Sequence, residues 1–336
     1  MKLTILGSCS AYPGPGAACS GYLVEEGSTK LLIDCGTGVL SNLQRVYMLA
    51  YLTHIVISHL HPDHFFDLIP YHYALVRPVY KTLHPRLYLP PGGSAKLREA
   101  FSIFDSSPIS LSNPLELEEY DPASLLQVGD LSIQFASVKH YIPSFAMAIS
   151  SNQKIVYSAD SGPCDELATL VKSADLFLCE ATRCERDDVE WGHLSACEAA
   201  TLAKRAKVKR LILTHFWPDC DYSQNLEQAR AIFGEELEVA TELRTYNVWE
   251  QRGYREDQLE RGSRGVHATN SEYHIWKRGA RCFLPGVWGC PPASKSPPRL
   301  GDYGVDLDYF SSLLRYAQRI SRRLKTRQSV LRLWHT

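Results

Sequence analysis

Ser58-His59-Leu60-His61-Pro62-Asp63-His64 follows directly on the apolar run His54-Ile55-Val56-Ile57, and these two stretches decide the fold. The run is short and β-branched, which predicts a buried strand. Three imidazoles and a carboxylate then fall in the loop leaving the strand's carboxyl end, where open α/β sheets place their sites. His59 and His61 stand two apart and can point the same way from an extended backbone. Pro62 disfavours helix at His61, so the chain turns after it and takes Asp63 and His64 to a second side. That geometry suits two metal ions better than one, with two ligands offered to each. A solvated, histidine-rich loop is the bland alternative; the residue order and the position after a strand weigh against it.

The same placement recurs along the chain. His59, His140, Asp160, Glu180 and His215 each lie just past an apolar, strand-like run, the later runs being Leu131–Val138, Ile155–Tyr157, Leu176–Cys179 and Leu211–Leu213. Leu3–Leu6 reads as a first strand, and Tyr22–Val24 with Leu31–Ile33 as a hairpin. Asp34 follows that hairpin, and a carboxylate capping the Gly-rich turn Cys35-Gly36-Thr37-Gly38 is a better reading than a metal ligand. The Gly/Ser/Pro-rich segment Gly7 to Gly21 either lines a site or merely connects strands. Helices are expected over Phe65–Ala74, Ser94–Phe104 with Ser94 as N-cap, Cys164–Ser173, Ser195–Ala206 and Leu226–Phe233, and the stretch Asp105 to Val128 reads as loop-rich. Strands grouped early, then strand and helix alternating, imply two sheets packed face to face with helices outside.

At 336 residues, 45% hydrophobic and 22% charged, the chain has room for one large domain and something extra. Residues 251–336 hold 16 Lys+Arg against 7 Asp+Glu, a net of +9, which leaves 20 against 30, a net of −10, for residues 1–250. The expected division is therefore an acidic folded body, 1–250, and a basic C-terminal extension, 251–336. The extension is irregular or carries a short amphipathic helix within Val305–Trp334; it reads as an arm for nucleic acid or an anionic surface, or as sequence beyond a natural end near Glu250, and the second is preferred. The ten cysteines include no C-x-x-C pair and no secretory segment precedes them, so reduced thiols and a cytoplasmic location are expected. No apolar run approaches the roughly 18 residues of a membrane helix.

The series His-Leu-His-Pro-Asp-His at 59–64, His140, Ser158-Ala159-Asp160-Ser161-Gly162 and Thr214-His215-Phe216 resembles the metallo-β-lactamase fold. Cys179-Glu180-Ala181-Thr182 and Gly192-His193-Leu194-Ser195 make it similar to the ribonuclease Z branch, over Met1 to about Glu250. The resemblance implies an αβ/βα four-layer sandwich with a binuclear zinc centre along one edge. One metal would take His59, His61 and His140, the other Asp63, His64 and His215, with Asp160 bridging. Imidazole and carboxylate ligands without thiolate suit Zn2+, with Mn2+ or Fe2+ as alternatives. A shared hydroxide, helped by Asp63, would attack phosphorus, while His193, oriented by Glu180, would assist the leaving oxygen.

One departure narrows the substrate. Transfer-RNA-processing ribonuclease Z enzymes carry a long arm between the positions matching His140 and Asp160, and here only 19 residues separate them. With an acidic body lacking the basic excess of a phosphate-binding surface, the expected substrate is a small or single-stranded phosphodiester. A tRNA 3′-end nuclease, a lactonase, thioesterase or arylsulfatase on the same metals, and a catalytically silent binding protein are the alternatives. Relatives on this branch imply a homodimer.

Overall fold

The computed structural model describes residues 1–80, 82–104, 115–184 and 192–248. Its strands are β1 Lys2–Gly7, β2 Gly21–Glu26, β3 Thr29–Ile33, β4 His54–Val56, β5 Arg86–Leu89, β6 Glu116–Glu119, β7 Leu126–Val128, β8 Leu131–Val138, β9 Ser144–Ser150, β10 Lys154–Tyr157, β11 Leu176–Glu180, β12 Arg210–Thr214, β13 Leu237–Val239 and β14 Thr245–Asn247. The α-helices are α1 Val39–Val46, α2 Pro62–Phe65, α3 Leu68–Leu75, α4 Gly93–Phe104, α5 Asp165–Leu170, α6 Ala196–Arg205 and α7 Ser223–Phe233. Two seven-stranded sheets result, ordered β14-β1-β2-β3-β4-β5-β6 and β13-β12-β11-β10-β9-β8-β7. Within each, a run of parallel strands, β3 to β6 and β10 to β13, follows antiparallel pairing.

Alternation along the strands builds the layers, because successive side chains leave opposite faces of a sheet. Leu31 and Ile33 of β3 face the other sheet, where they join Leu176 and Leu178 of β11, while Leu32 lies on the outer face of its own sheet. Phe177 and Cys179 alternate outward on β11 and meet Leu167 of α5 and Ala199, Ala200 and Ala203 of α6. On the other side α1, α3 and α4 bury Leu43, Tyr71 and Leu97 against the first sheet. The order is helix, sheet, sheet, helix, as expected. The parallel strands point their carboxyl ends to one edge, which brings the loops after β4, β10, β11 and β12 together.

Several local expectations are corrected. The single helix over Phe65–Ala74 is two, because the chain breaks between them to hydrogen-bond the Cys35 backbone: Cys35 N donates to His64 O at 2.6 Å and Asp67 N to Cys35 O at 3.0 Å. Ser94 lies inside α4 rather than capping it; Glu119 from β6 accepts from Gly92 N and Ser94 N at 2.9 Å each and satisfies the first turn from across the chain. The loop-rich stretch yields β6 and β7, and α1, β13 and β14 were not anticipated. Cys184 and Cys220 form a disulfide across 36 positions, with Cα atoms 6.4 Å apart, against the expectation of reduced thiols throughout; fold proximity joined them, and no short spacing announced it. The basic extension, on which the helix expected inside Val305–Trp334 falls, lies outside the described residues. Among the described residues no helix is long and apolar enough to cross a membrane.

Candidate metal centre

Five strand ends deliver the site. Past β4 come Ser58, His59, His61, Asp63 and His64; past β8, His140; past β10, Asp160; at the end of β11, Glu180; past β12, His215. Two of these turns, and the one after β3, pass through a left-handed non-glycine residue: Ala159 at φ 51° after β10, His215 at 62° after β12 and Asp34 at 56° after β3. Such conformations are costly and persist where the surroundings impose them, as they do around functional sites. His61 keeps an extended backbone at φ −80°, ψ 144° before Pro62, so the turn falls after it, as expected.

The predicted ligand residues converge as two groups, His59, His61, His140 and Asp160, and Asp63, His64, Asp160 and His215. Asp160 belongs to both. Its Oδ2 lies 3.6 Å from His59 Nε2 and 3.9 Å from His140 Nε2, and its Oδ1 lies 3.3 Å from His64 Nε2 and 3.5 Å from His215 Nε2. Oδ1 is buried and has no well-angled hydrogen-bond donor among the described residues.

The hydrogen bonds at the back of each ring fix what the front presents. His140 Nδ1 faces Gly192 O at 2.9 Å and must carry the proton, because a carbonyl only accepts. Ser58 Oγ donates to Asp34 Oδ2 and so accepts from His59 Nδ1, 3.0 Å away. Thr182 Oγ1 donates to His215 O and accepts from His215 Nδ1 at 2.7 Å. His64 Nδ1 donates to Asp34 Oδ2 at 2.7 Å. Each of these rings, when neutral, therefore aims an Nε2 lone pair into the cluster. His61 Nδ1 stands 3.2 Å from His59 Nε2 and 3.0 Å from His140 Nε2, and His64 Nε2 stands 3.2 Å from His215 Nε2. Lone pairs at such distances repel unless a cation lies among them. The donor set, the rear hydrogen bonds and the orphaned Asp160 oxygen together fit a divalent metal site.

Electrostatics agree. Burial first, then the neighbouring imidazoles, holds His59 well below the usual histidine range, and burial also lowers His61 and His140. His64 goes the other way: burial opposes it, yet the carboxylates of Asp160, Asp63 and Asp34 hold it well above that range. Asp63 and Asp160 are buried, which disfavours their charge, but the surrounding imidazoles keep both ionised.

Asp34 is the correction at this site. It is fully buried and neither caps its turn nor enters a ligand group: it accepts from Ser58 N at 2.7 Å, Ser58 Oγ at 2.8 Å, His64 Nδ1 at 2.7 Å and Tyr157 Oη at 2.9 Å. The capping falls to Asp67, whose Oδ2 accepts from Gly38 N and Leu40 N at the start of α1. The segment Gly7 to Gly21 does line the site, with Ala11 N donating to Asp63 Oδ2 at 2.7 Å. Ser58, Thr182 and the Gly192 carbonyl, which orient His59, His215 and His140, lie within or next to the motifs that carry the resemblance, but their partners are fixed only by the fold.

Glu180 and His193 stand together beside the ligand groups. His193 Nδ1 donates to Glu180 Oε1 at 2.9 Å, and Glu180 is fixed by Ser161 N at 2.8 Å and Thr182 N at 3.1 Å. The His193 ring centre lies 4.9 Å from that of His140 and 6.0 Å from that of His215.

Residues 29–216 match the family model described as Beta-lactamase superfamily domain. The chain is similar to the probable metallo-hydrolase YhfI of Bacillus subtilis (strain 168), with 32% identity over 254 residues that cover 74% of this chain and 100% of that protein. A crystal structure of YhfI, titled a metallo-β-lactamase fold protein, matches with a TM-score of 0.66 at 26% identity, over 73% of this chain and 99% of that one. Ribonuclease Z of Brevibacillus brevis is 28% identical over 319 residues, covering 75% of this chain and 98% of that protein.

Proposed function

The chain belongs to the β-lactamase superfamily, on its ribonuclease Z-like branch, and has a metallo-hydrolase fold; from this premise we propose that it is a phosphodiesterase working with two Zn2+ ions, or Mn2+ or Fe2+ in their place. His59, His61 and His140 would hold one ion, Asp63, His64 and His215 the other, and Asp160 would bridge them. When bound, such a pair supplies a water-derived nucleophile at neutral pH and neutralises charge developing on the phosphoryl group.

The chain's own residues do the rest. Asp63, which accepts from Ala11 N at 2.7 Å and lies 3.2 Å from His215 Nε2, is held ionised where it can orient the attacking water and take up its proton. His193 is the general acid: Glu180 fixes its Nδ1, so Nε2 faces outward to protonate the departing alkoxide. Water and the diester become a phosphomonoester and an alcohol.

The observation carrying this reading is the Glu180–His193 pair at 2.9 Å beside the ligand groups. An alkoxide leaving group needs a proton, whereas a thiolate or an activated lactone leaves without one. The Brevibacillus brevis likeness favours RNA ends as a second reading. Against it, β9 and β10 are joined by a short turn after Ser150, leaving no arm between His140 and Asp160.

The test is hydrolysis of bis-p-nitrophenyl phosphate by zinc-loaded protein, beside an aryl sulfate, a lactone and a thioester. Asp160→Ala should abolish turnover of that phosphodiester; His193→Ala should lower kcat by about 10²–10⁴ on a dinucleoside monophosphate, whose leaving group is an alkoxide, and far less on the p-nitrophenyl ester, whose phenolate departs without a proton. Metal-dependent turnover of the lactone or thioester alone, indifferent to His193→Ala, would sink the reading.

A further inference from the structure

Two loops that carry the proposed ligands also carry an aromatic pair that the chemistry above does not use. Tyr12 follows Ala11, whose amide holds Asp63, and Trp217 stands two positions after His215. Their ring centres are 5.9 Å apart, tilted by 48°, and Tyr12 remains 43% exposed. Single exposed aromatics are ordinary on a protein surface. This pair is held in place.

Ser10 N donates to Phe216 O at 2.9 Å and Phe216 N to Ser8 O at 3.0 Å, so the two loops are laced together next to the pair. The Tyr12 hydroxyl is engaged by Asp219, which raises its pKa. Trp217 N donates to Tyr222 Oη at 3.2 Å; that hydroxyl donates to Thr182 O at 2.6 Å, and Thr182 is the residue that orients His215. The Cys184–Cys220 disulfide fastens the same loop. A third aromatic, Tyr141, adjoins His140; it is 51% exposed, and its ring leans on Gly192, where an added Cβ would come within 2.7 Å. Its ring centre is 5.9 Å from that of His193.

We infer that Tyr12 and Trp217 form a stacking platform for a planar aromatic group, of nucleobase class, on the part of the phosphodiester that is retained on phosphorus, with Tyr141 lining the leaving-group rim beside His193. A pinned, exposed π-face next to a phosphoester centre recognises any base without reading its edge, and it does so without the basic surface that this acidic body lacks. The inference rests on the phosphodiesterase reading and names its substrate class.

The test compares thymidine 5′-(p-nitrophenyl phosphate) with its abasic deoxyribose counterpart and with methyl p-nitrophenyl phosphate, esters that share a leaving group; the first two differ only in the base. The zinc-loaded enzyme should favour the thymidine ester over the abasic one by roughly tenfold or more in kcat/KM, the size of one base stacked on an aromatic ring. Trp217→Leu and Tyr12→Leu should each erase most of that preference through KM while the methyl ester is hydrolysed as before. Trp217→Phe and Tyr12→Phe, which keep a π-face, should retain it. Equal turnover of the thymidine and abasic esters, or Leu variants that slow all three alike, overturns the platform and leaves phosphodiesterase chemistry standing. Turnover of none of the three removes the phosphodiesterase reading, and the platform falls with it. Equilibrium dialysis gives the second readout: thymidine 5′-monophosphate should bind more tightly than deoxyribose 5-phosphate, and Trp217→Leu should remove the difference.

Discussion

Asp34 shows how a residue that need touch neither metal nor substrate can set the affinity of a site. Its carboxylate gathers Ser58, His64 and Tyr157, and through Ser58 Oγ it also fixes His59. Asp34→Asn removes the charge behind His64 and offers an amide where donors already point. Zinc affinity, measured by chelator competition, should fall about 10–100-fold, the usual cost of losing such a support. An unchanged affinity would show that the ring orientations are set without it. The titration of the same cluster gives a second prediction. A histidine whose folded pKa is depressed binds fewer protons than in the unfolded chain, so His59, His61 and His140 cost stability as pH falls below about 6.5. Asp63 and Asp160, with lowered pKa values, add stability above the usual carboxylate range that is lost on further acidification. The raised His64 adds nothing to this slope, because its contribution is fully present below about 6.5 and is lost only as pH rises through its folded value. The three depressed histidines therefore predict a metal-free protein whose Tm falls between pH 6.5 and 5. Zinc should raise Tm at neutral pH, and that rise should shrink over the same window as protons compete for the ring nitrogens. A zinc-induced rise independent of pH would place the metal elsewhere.

At the scale of elements, α6 is placed by its first turn. Ser195 Oγ accepts from Glu198 N, Glu198 Oε2 accepts from Ser195 N at 2.8 Å, and Arg183 pairs with Glu198 at 3.2 Å. This capping box starts two residues after His193, so it anchors the proposed acid as well as the helix. Ser195→Ala should cost about 1 kcal/mol in denaturant unfolding, the typical price of a lost N-cap. Its effect on kcat should exceed its effect on zinc affinity, since His193 is not a proposed ligand; a larger effect on zinc would contradict that separation. The helix over Ser195–Ala206 was legible because its start depends on residues within one turn of it. The strand ends were legible for a similar reason, since an apolar run followed by a ligand-type residue is a local pattern. What stayed hidden depends on distant partners: Asp67 caps α1 from 27 or more positions away, Glu119 caps α4 from 25 or more, and β14 is too short to announce itself until it meets β1. Asp34 was visible as a carboxylate, but its purpose lay with Tyr157, 123 positions on.

For the molecule as a whole, the edge strand β14 decides where the catalytic body can be cut. It pairs with β1 through Lys2↔Asn247, Leu3↔Tyr246 and Thr4↔Thr245, and Val248 N reaches Met1 O at 3.2 Å. Tyr246 is buried in the core between the sheets, with the guanidinium groups of Arg210 and Arg244 at 4.9 and 4.7 Å from its ring centre. A chain ending after Glu250 keeps all of these contacts and sheds a segment of net +9 from a body of net −10. It should hydrolyse a small phosphodiester with unchanged kcat/KM and unfold at the same temperature as the full chain. A chain ending after Leu243 loses β14, uncovers the backbone of β1 and empties the Tyr246 site, at a cost of about 3–5 kcal/mol for the aromatic side chain alone. It should melt markedly earlier and aggregate through the bared edge. If the cut after Glu250 instead abolished turnover of the small ester while zinc still bound, residues 251–336 would be part of the enzyme and the division of the chain into body and extension would be wrong.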